Sequence, residues 1–270
     1  MGKQFPLKEG TILKRLYQVL EASSKGRRIN DLRVGLSYVG VKLDNNQAGL
    51  AAVLPDAKTQ SCTALQEAST YAGCNAEKTL HYLVESKNVL QRAIGLATAN
   101  AFGGSSVENE EDREATSYFN LQPEEKVAMV GLFAPLVERI RATGAAITVI
   151  EKNPGRMKLL SLAEKQRTLR ECDVAIITAT TLLNGTFEET IGFLGEPRLV
   201  ALLGPSTPLI SSIFQDTPVT HLGGAVIADP ANVLQIISEG GGTPALRPYL
   251  RFVNLNCRVR KPIISPGNCR

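Results

Sequence analysis

The stretch from Lys126 to Lys152 constrains this chain more than any other. Val127 to Phe133 is a short apolar run rich in strand formers. Pro135 then opens a segment in which Leu136, Val137 and Ile140 are apolar while Glu138, Arg139 and Arg141 are polar, a helical spacing. Gly144 ends it, and Ile147 to Ile150 forms a second apolar run closing on Glu151. Strand, helix and strand in this order make a parallel βαβ unit, and strands apolar throughout are covered on both faces. Glu151 lies 20 residues beyond Gly131, where dinucleotide-type folds place a carboxylate for ribose hydroxyls.

The same alternation continues toward the C-terminus. Helices are expected over Leu159–Arg170, Phe187–Leu194 and Pro230–Ser238, with a helical turn within Pro208–Phe214. Strands are expected over Cys172–Thr178, Leu199–Leu203 and within Val219–Ala228. Asp229 is an apt cap for the last helix, with Pro230 at its first position. Strands alternating with helices predict an α/β domain built on a doubly wound parallel sheet. Before it, Glu9–Ser23 reads as an amphipathic helix. Asp31–Leu43 and Gly49–Leu54 read as a hairpin turning at Asn45-Asn46, and Thr63–Ala72, Ala76–Val84 and Val89–Phe102 as helices. The polar connection from Gly103 through the acidic run Glu108–Asp112 separates the halves. The predicted organisation is an α+β domain over 1–105, a linker over 106–122 and the α/β domain over 123–270.

Composition narrows the function classes. The 270 residues are 43% hydrophobic and 21% charged with a net charge of +4, ordinary for a globular protein. Basic residues concentrate only at Arg247, Arg251, Arg258, Arg260, Lys261 and Arg270, which reads as a solvated tail, and no nucleic-acid surface is expected. The first residues, Met1-Gly-Lys-Gln-Phe-Pro, lack a signal-peptide apolar core, and no apolar segment reaches membrane-spanning length. Five irregularly spaced cysteines suit free thiols. The expectation is a cytoplasmic protein without membrane partners, with a homodimer as the alternative to a monomer.

Ligands of open α/β sheets sit beyond the carboxyl ends of the strands. Those ends carry Phe133, Glu151, the set Thr178, Thr180, Thr181, Asn184 and Thr186, and the turn Gly204, Ser206 and Thr207. Their hydroxyls and amides suit a polar ligand, although the same residue types also cap helices and close turns. A pyrophosphate fingerprint is missing, because Gly131-Leu-Phe-Ala-Pro-Leu has one glycine where three are needed. Neither His81 nor His221 has a second ligand at metal spacing, and Cys62/Cys74 and Cys257/Cys269, each eleven residues apart, match no zinc knuckle. No Gly-x-Ser-x-Gly elbow marks a hydrolase nucleophile.

Several stretches together are more specific. Val34-Gly-Leu-Ser-Tyr, Gly49-Leu-Ala-Ala, Arg92-Ala-Ile-Gly-Leu-Ala-Thr-Ala-Asn-Ala, Val130-Gly-Leu-Phe, Val149-Ile-Glu-Lys, Ile177-Thr-Ala-Thr-Thr-Leu-Leu-Asn-Gly-Thr and Leu203-Gly-Pro-Ser-Thr-Pro-Leu occur in this order. In that combination the chain resembles the heavy-metal chelation family of two-domain proteins. The resemblance implies an enolase-N-terminal-like domain packed on a Rossmann-like domain, a ligand site between them, and a context of anaerobic metal or cobalamin-like tetrapyrrole metabolism. It further implies that the helix carrying Gln91 and Asn100 forms the wall opposite the strand-end loops. One departure stands out: the family pattern has an acid at the position of Gln91, and an amide is a poor metal ligand. The ligands expected are a divalent metal ion or a metal-containing small molecule. The alternatives are an adenosyl compound or nucleotide bound by a methyltransferase-like enzyme, or a metabolite held by a non-catalytic carrier.

Overall fold

The computed structural model describes residues 11–55, 63–86, 88–104 and 115–257. The N-terminal half starts with α1 (Ile12–Ser24), whose N-cap Thr11 accepts a hydrogen bond from the Lys14 amide. Three antiparallel strands follow in sequence order: β1 (Ile29–Val34), β2 (Tyr38–Leu43) and β3 (Ala48–Ala52). The single expected hairpin is therefore two, because the chain already reverses between Val34 and Tyr38. Next come α2 (Ala76–Leu80), a short 3-10 turn at His81–Leu83, and α3 (Val89–Gly103). The helix expected at Thr63–Ala72 is instead a series of turns. Thr70 bonds back to the Glu67 carbonyl through both its amide and its hydroxyl, and Ser69 adopts a positive φ of 74°. Short polar side chains compete with helical backbone bonds in this way.

The C-terminal half is a six-stranded sheet of order β5-β4-β6-β7-β8-β9. Its strands are β4 (Lys126–Val130), β5 (Ala146–Ile150), β6 (Val174–Thr178), β7 (Leu199–Leu203), β8 (His221–Ile227) and β9 (Leu250–Asn256). Five run parallel, and β9 pairs antiparallel with β8. The helices are α4 (Ala134–Ala142), α5 (Leu162–Glu171), α6 (Thr180–Leu183), α7 (Phe187–Gly192), α8 (Pro230–Ser238) and α9 (Thr243–Leu246). Part of the stretch read as a solvated basic tail is thus the edge strand β9, with the Arg247 guanidinium 5.3 Å from the centre of the Phe252 ring. Arg258, Arg260, Lys261 and Arg270 lie outside the described residues.

Alternate strand residues face opposite ways, and the core divides accordingly. Val127, Met129, Val174, Ile176 and Leu203 pack with Val137 and Ile140 of α4 and with Phe119. Ala128, Ala175, Ile177, Val200 and Leu202 face α5 and α7, in a cluster that runs on into the N-terminal core. The sheet is therefore wound on both faces. The small N-terminal sheet is covered on both faces as well. Val39, Val41 and Ala51 lie under α1 and α3, while Tyr38 and Leu50 pack with Val233 and Ile237 of α8, a helix from the other half of the chain.

Candidate functional site

The chain leaves β4 through α4 to reach β5 on one side, then crosses back through α5 to β6 on the other. Such a reversal leaves a crevice beyond the strand ends. A cavity of about 700 Å³ opens there, and residues 52–55, from the last residue of β3 onward, contribute its N-terminal edge. At its base Gly131 ends β4 with φ +83°, and a Cβ in its place would come 2.6 Å from Thr178 Cγ2. Both the backbone angle and the close approach of β6 require glycine at this point.

Seven of the twelve candidate residues line the cavity: Phe133, Glu151, Thr178, Thr180, Thr181, Asn184 and Thr186. Glu151 is the most engaged. Its side chain is 11% exposed, and its carboxylate accepts from the amides of Lys152 (2.7 Å), Asn153 (3.1 Å) and Leu132 (3.3 Å). Arg156 stands 3.9 Å away. Burial opposes ionisation here, but the three amides and Arg156 outweigh it and hold the carboxyl below its usual range. Glu151 therefore ties the loop after β4 to the loop after β5.

The threonines form a short relay. Thr178 and Thr180 share a hydroxyl–hydroxyl bond of 3.0 Å, and the Thr181 hydroxyl donates to the Thr178 carbonyl. What sequence reading took as a loop is here the single turn of α6. Asn184 closes it, its side-chain oxygen accepting from the Thr186 hydroxyl at 2.6 Å and the Thr186 amide at 3.2 Å. That orientation turns the amide nitrogen of Asn184 away from Thr186, and it makes no hydrogen bond among the described residues.

The other five candidates do not line the cavity. Ser206 and Thr207 are buried at 2% exposure. The Ser206 hydroxyl accepts from the Ala52 amide at 2.8 Å, and Asn100 donates to the carbonyls of Leu50 (2.9 Å) and Ser206 (3.3 Å). These residues join β3, α3 and the turn after β7. Gly204, with φ +119°, carries that turn past Phe133. Gln91 is buried in the N-terminal half, where its side-chain amide donates to the Glu67 carboxylate at 3.4 Å. Arg92, which sequence reading did not single out, reaches from α3 to the Leu183 carbonyl at the end of α6 with a bond of 2.6 Å.

The cavity also holds residues that the sequence pattern did not single out as site residues: Lys152, Arg156, Lys165 and Glu189. Lys152 follows a strand end, a position that carried a signal. Lys165 and Glu189 sit on polar helix surfaces, where only the fold reveals what they face.

These groups do not fit a bare metal ion. Among the described residues no three His, Cys, Asp or Glu side chains come together to hold one. Burial pushes the thiols of Cys172 and Cys257 up to about 11 and raises that of Cys74, and a metal ligand must be a thiolate. The Glu151 carboxylate is already taken up by backbone amides.

Comparison with known proteins sets this chain in a family. Residues 114–256 match the DUF364 family model, described as "Putative heavy-metal chelation". The chain belongs to this family. Residues 17–103 match a second model with the same description, DUF4213. An uncharacterized protein of Methanocaldococcus jannaschii is 25% identical over 232 residues, covering 81% of this chain and 86% of its own. A DUF364 family protein of unknown function from Pyrococcus horikoshii superposes with a TM-score of 0.77 at 19% identity, covering 91% of this chain and all of that one. A DUF364 protein from Desulfitobacterium hafniense gives 0.71 at 20% identity, with 90% and 98% covered. At such identities the two structures speak for the fold alone. No helix among the described residues of this family member is long and apolar enough to cross a membrane.

Proposed function

We propose that this protein binds a small organic molecule in the crevice between β4 and β6, and that any metal it handles arrives already held within that molecule. The observation carrying this reading is the match of space and chemistry. A cavity of about 700 Å³ is within the range of small-molecule sites, and hydroxyl and amide groups of Thr178, Thr180 and Asn184 line it, without a cluster of metal-ligating side chains among the described residues. A metal chelate, including a tetrapyrrole-like one, brings its own coordination shell and needs from the protein only hydrogen bonds and contact area. The division into domains over 1–105 and 123–270 belongs to this proposal, with residues 52–55 contributing to one wall.

A second reading, an adenosyl compound or nucleotide, is favoured by Glu151 at the carboxyl end of β5, lining the cavity where ribose hydroxyls would sit. Thermal unfolding of chelator-stripped protein separates the two. A ligand of the folded state at about a hundred times its Kd adds roughly 2.7 kcal/mol. The expectation is a shift with an organic metal chelate that exceeds the shift with the same metal as its simple salt, and that Thr180→Val with Asn184→Leu abolishes. A shift with adenosyl compounds alone would favour the second reading. Equal shifts in wild type and the double variant would remove the ligand from this cavity.

A further inference from the structure

The charges around the same cavity carry the argument further. Three cations line it, Lys152, Arg156 and Lys165, against two carboxylates, Glu151 and Glu189. Counting understates the imbalance, because the groups are not equally committed. Glu151 spends its charge on three backbone amides, with Arg156 at 3.9 Å. Glu189 is exposed at the rim on α7. Neither Lys152 nor Lys165 has a carboxylate at ion-pair distance among the described residues. Lys152 lies in the loop after β5, next to Glu151, and Lys165 projects from the first turns of α5, so two different elements supply uncommitted cations to one opening. The Asn184 amide nitrogen adds a donor without a partner from the α6 side. Among the described residues, cations thus outnumber carboxylates in the lining, the reverse of what a bare cation would need.

We infer that the ligand is an organic anion whose carboxylate or phosphate groups are taken up by Lys152 and Lys165, with Asn184 donating from the end of α6. This rests on the reading that the cavity is the ligand site, and it names the class of ligand: a polycarboxylate or phosphate ester, free or enclosing a metal. Lysine ammonium groups suit either, since each acts as a compact point charge with rotatable donors. The anionic groups lie at the two lysines, and the uncharged body of the ligand lies against Thr178 and Thr180.

The test uses the whole chain, stripped with chelator, at constant ionic strength. Inorganic pyrophosphate, tricarballylate and uncharged adenosine serve as probes, followed by calorimetric titration and thermal unfolding. Pyrophosphate or tricarballylate should bind, and the one preferred tells phosphate from carboxylate. Lys152→Ala with Lys165→Ala should weaken that binding by roughly tenfold or more, the usual scale for losing charge-assisted hydrogen bonds. Lys158→Ala removes one charge close in sequence but outside the cavity lining and should leave binding within about twofold, whereas Lys152→Ala and Lys165→Ala should each weaken it by more. Failure of both anions to bind, or equal losses in the Lys158 and cavity-lysine variants, would overturn the inference. Adenosine binding that survives the lysine changes but not Thr180→Val with Asn184→Leu would overturn it too, while leaving the cavity reading intact. Binding of any probe untouched by Thr180→Val with Asn184→Leu would instead strike at the cavity reading itself.

Discussion

His221 shows how a single buried group sets a pH limit on this fold. It lies at the start of β8, 6% exposed, edge-on to Phe119 at 5.4 Å and tilted against Tyr118 at 5.6 Å. Its Nε2 donates to the Asn254 side-chain oxygen at 2.9 Å. Burial lowers its pKa, and the bond to Asn254 only partly opposes that. The folded state therefore holds the ring neutral, while in the unfolded chain it takes up a proton near its ordinary value of about 6.5. Above that pH neither state is charged and stability is unaffected. As pH falls from about 6.5 toward the folded-state pKa, the unfolded chain gains protons that the folded chain does not, and stability declines. His221→Gln keeps an amide donor for Asn254 but cannot titrate. Urea midpoints between pH 5 and 8 should fall less steeply for this variant than for wild type, and parallel curves would contradict the assignment. At this scale the sequence was only partly legible. Glu151 stood out because a strand-end acid has a spacing. Ser206 and Asn100 looked the same as ligand-facing groups, yet they bind β3 and α3, because a polar side chain carries no mark of which backbone group it will meet.

Among elements, close approach matters more than propensity. A Cβ on Gly49 would overlap the backbone of α3 at Ala97 and Ala101, and one on Gly35 would overlap the Ile237 carbonyl of α8. On Gly40 it would meet only side-chain ends, Leu234 Cδ2 at 2.6 Å and Ile237 Cδ1 at 2.8 Å. Gly26 is different in kind: its φ is +80° but an added Cβ would meet nothing within 4 Å. Gly26→Ala should cost about 1 kcal/mol, from backbone strain alone. Gly49→Ala should cost more than about 3 kcal/mol or prevent folding, since backbone cannot step aside as a side chain can. Denaturant melts of the two variants give the order, and near-equal losses would refute it. The helices with clear signals were read well from sequence. Pro230 after Asp229 opened α8 where expected, whereas α5, expected from Leu159, starts at Leu162, where Ser161 and Glu164 form a capping box that the sequence reading had not used. In the small sheet, Gly35 lies in the turn after β1 and Gly40 within β2, and α8 packs closely against both, so β2 is buried on both faces and does not alternate. Strand β9 escaped notice because Arg251, Asn254 and Asn256 blur its alternation, as is common on an edge strand.

Across the whole molecule the two halves share their core. Glu188 on α7 accepts from the Ile12 amide at the start of α1 at 3.0 Å, Arg92 joins α3 to the end of α6, and Tyr38 on β2 bonds Thr243 on α9 at 2.7 Å. With α8 also filling one face of the small sheet, neither half keeps its apolar surface covered alone. Calorimetry should therefore show one cooperative transition, and a conservative core change in either half, Ile94→Val or Ile176→Val, should move it as a unit. Two separable transitions would argue against a shared core. The resemblance implied that the two domains pack together, but not that a helix of the second would cover the small sheet of the first, and the polar stretch after Gly103 marked only a boundary. The dependence on α8 also sets an order in time. Strands β1 to β3 are complete once Ala52 is made, but the helix that covers Tyr38 and Leu50 ends at Ser238. At about 5–20 residues per second, ribosomal synthesis leaves that face bare for on the order of ten seconds or more. During that interval the nascent chain offers an uncovered apolar sheet to the cell, which makes this face the natural place for a chaperone to hold it.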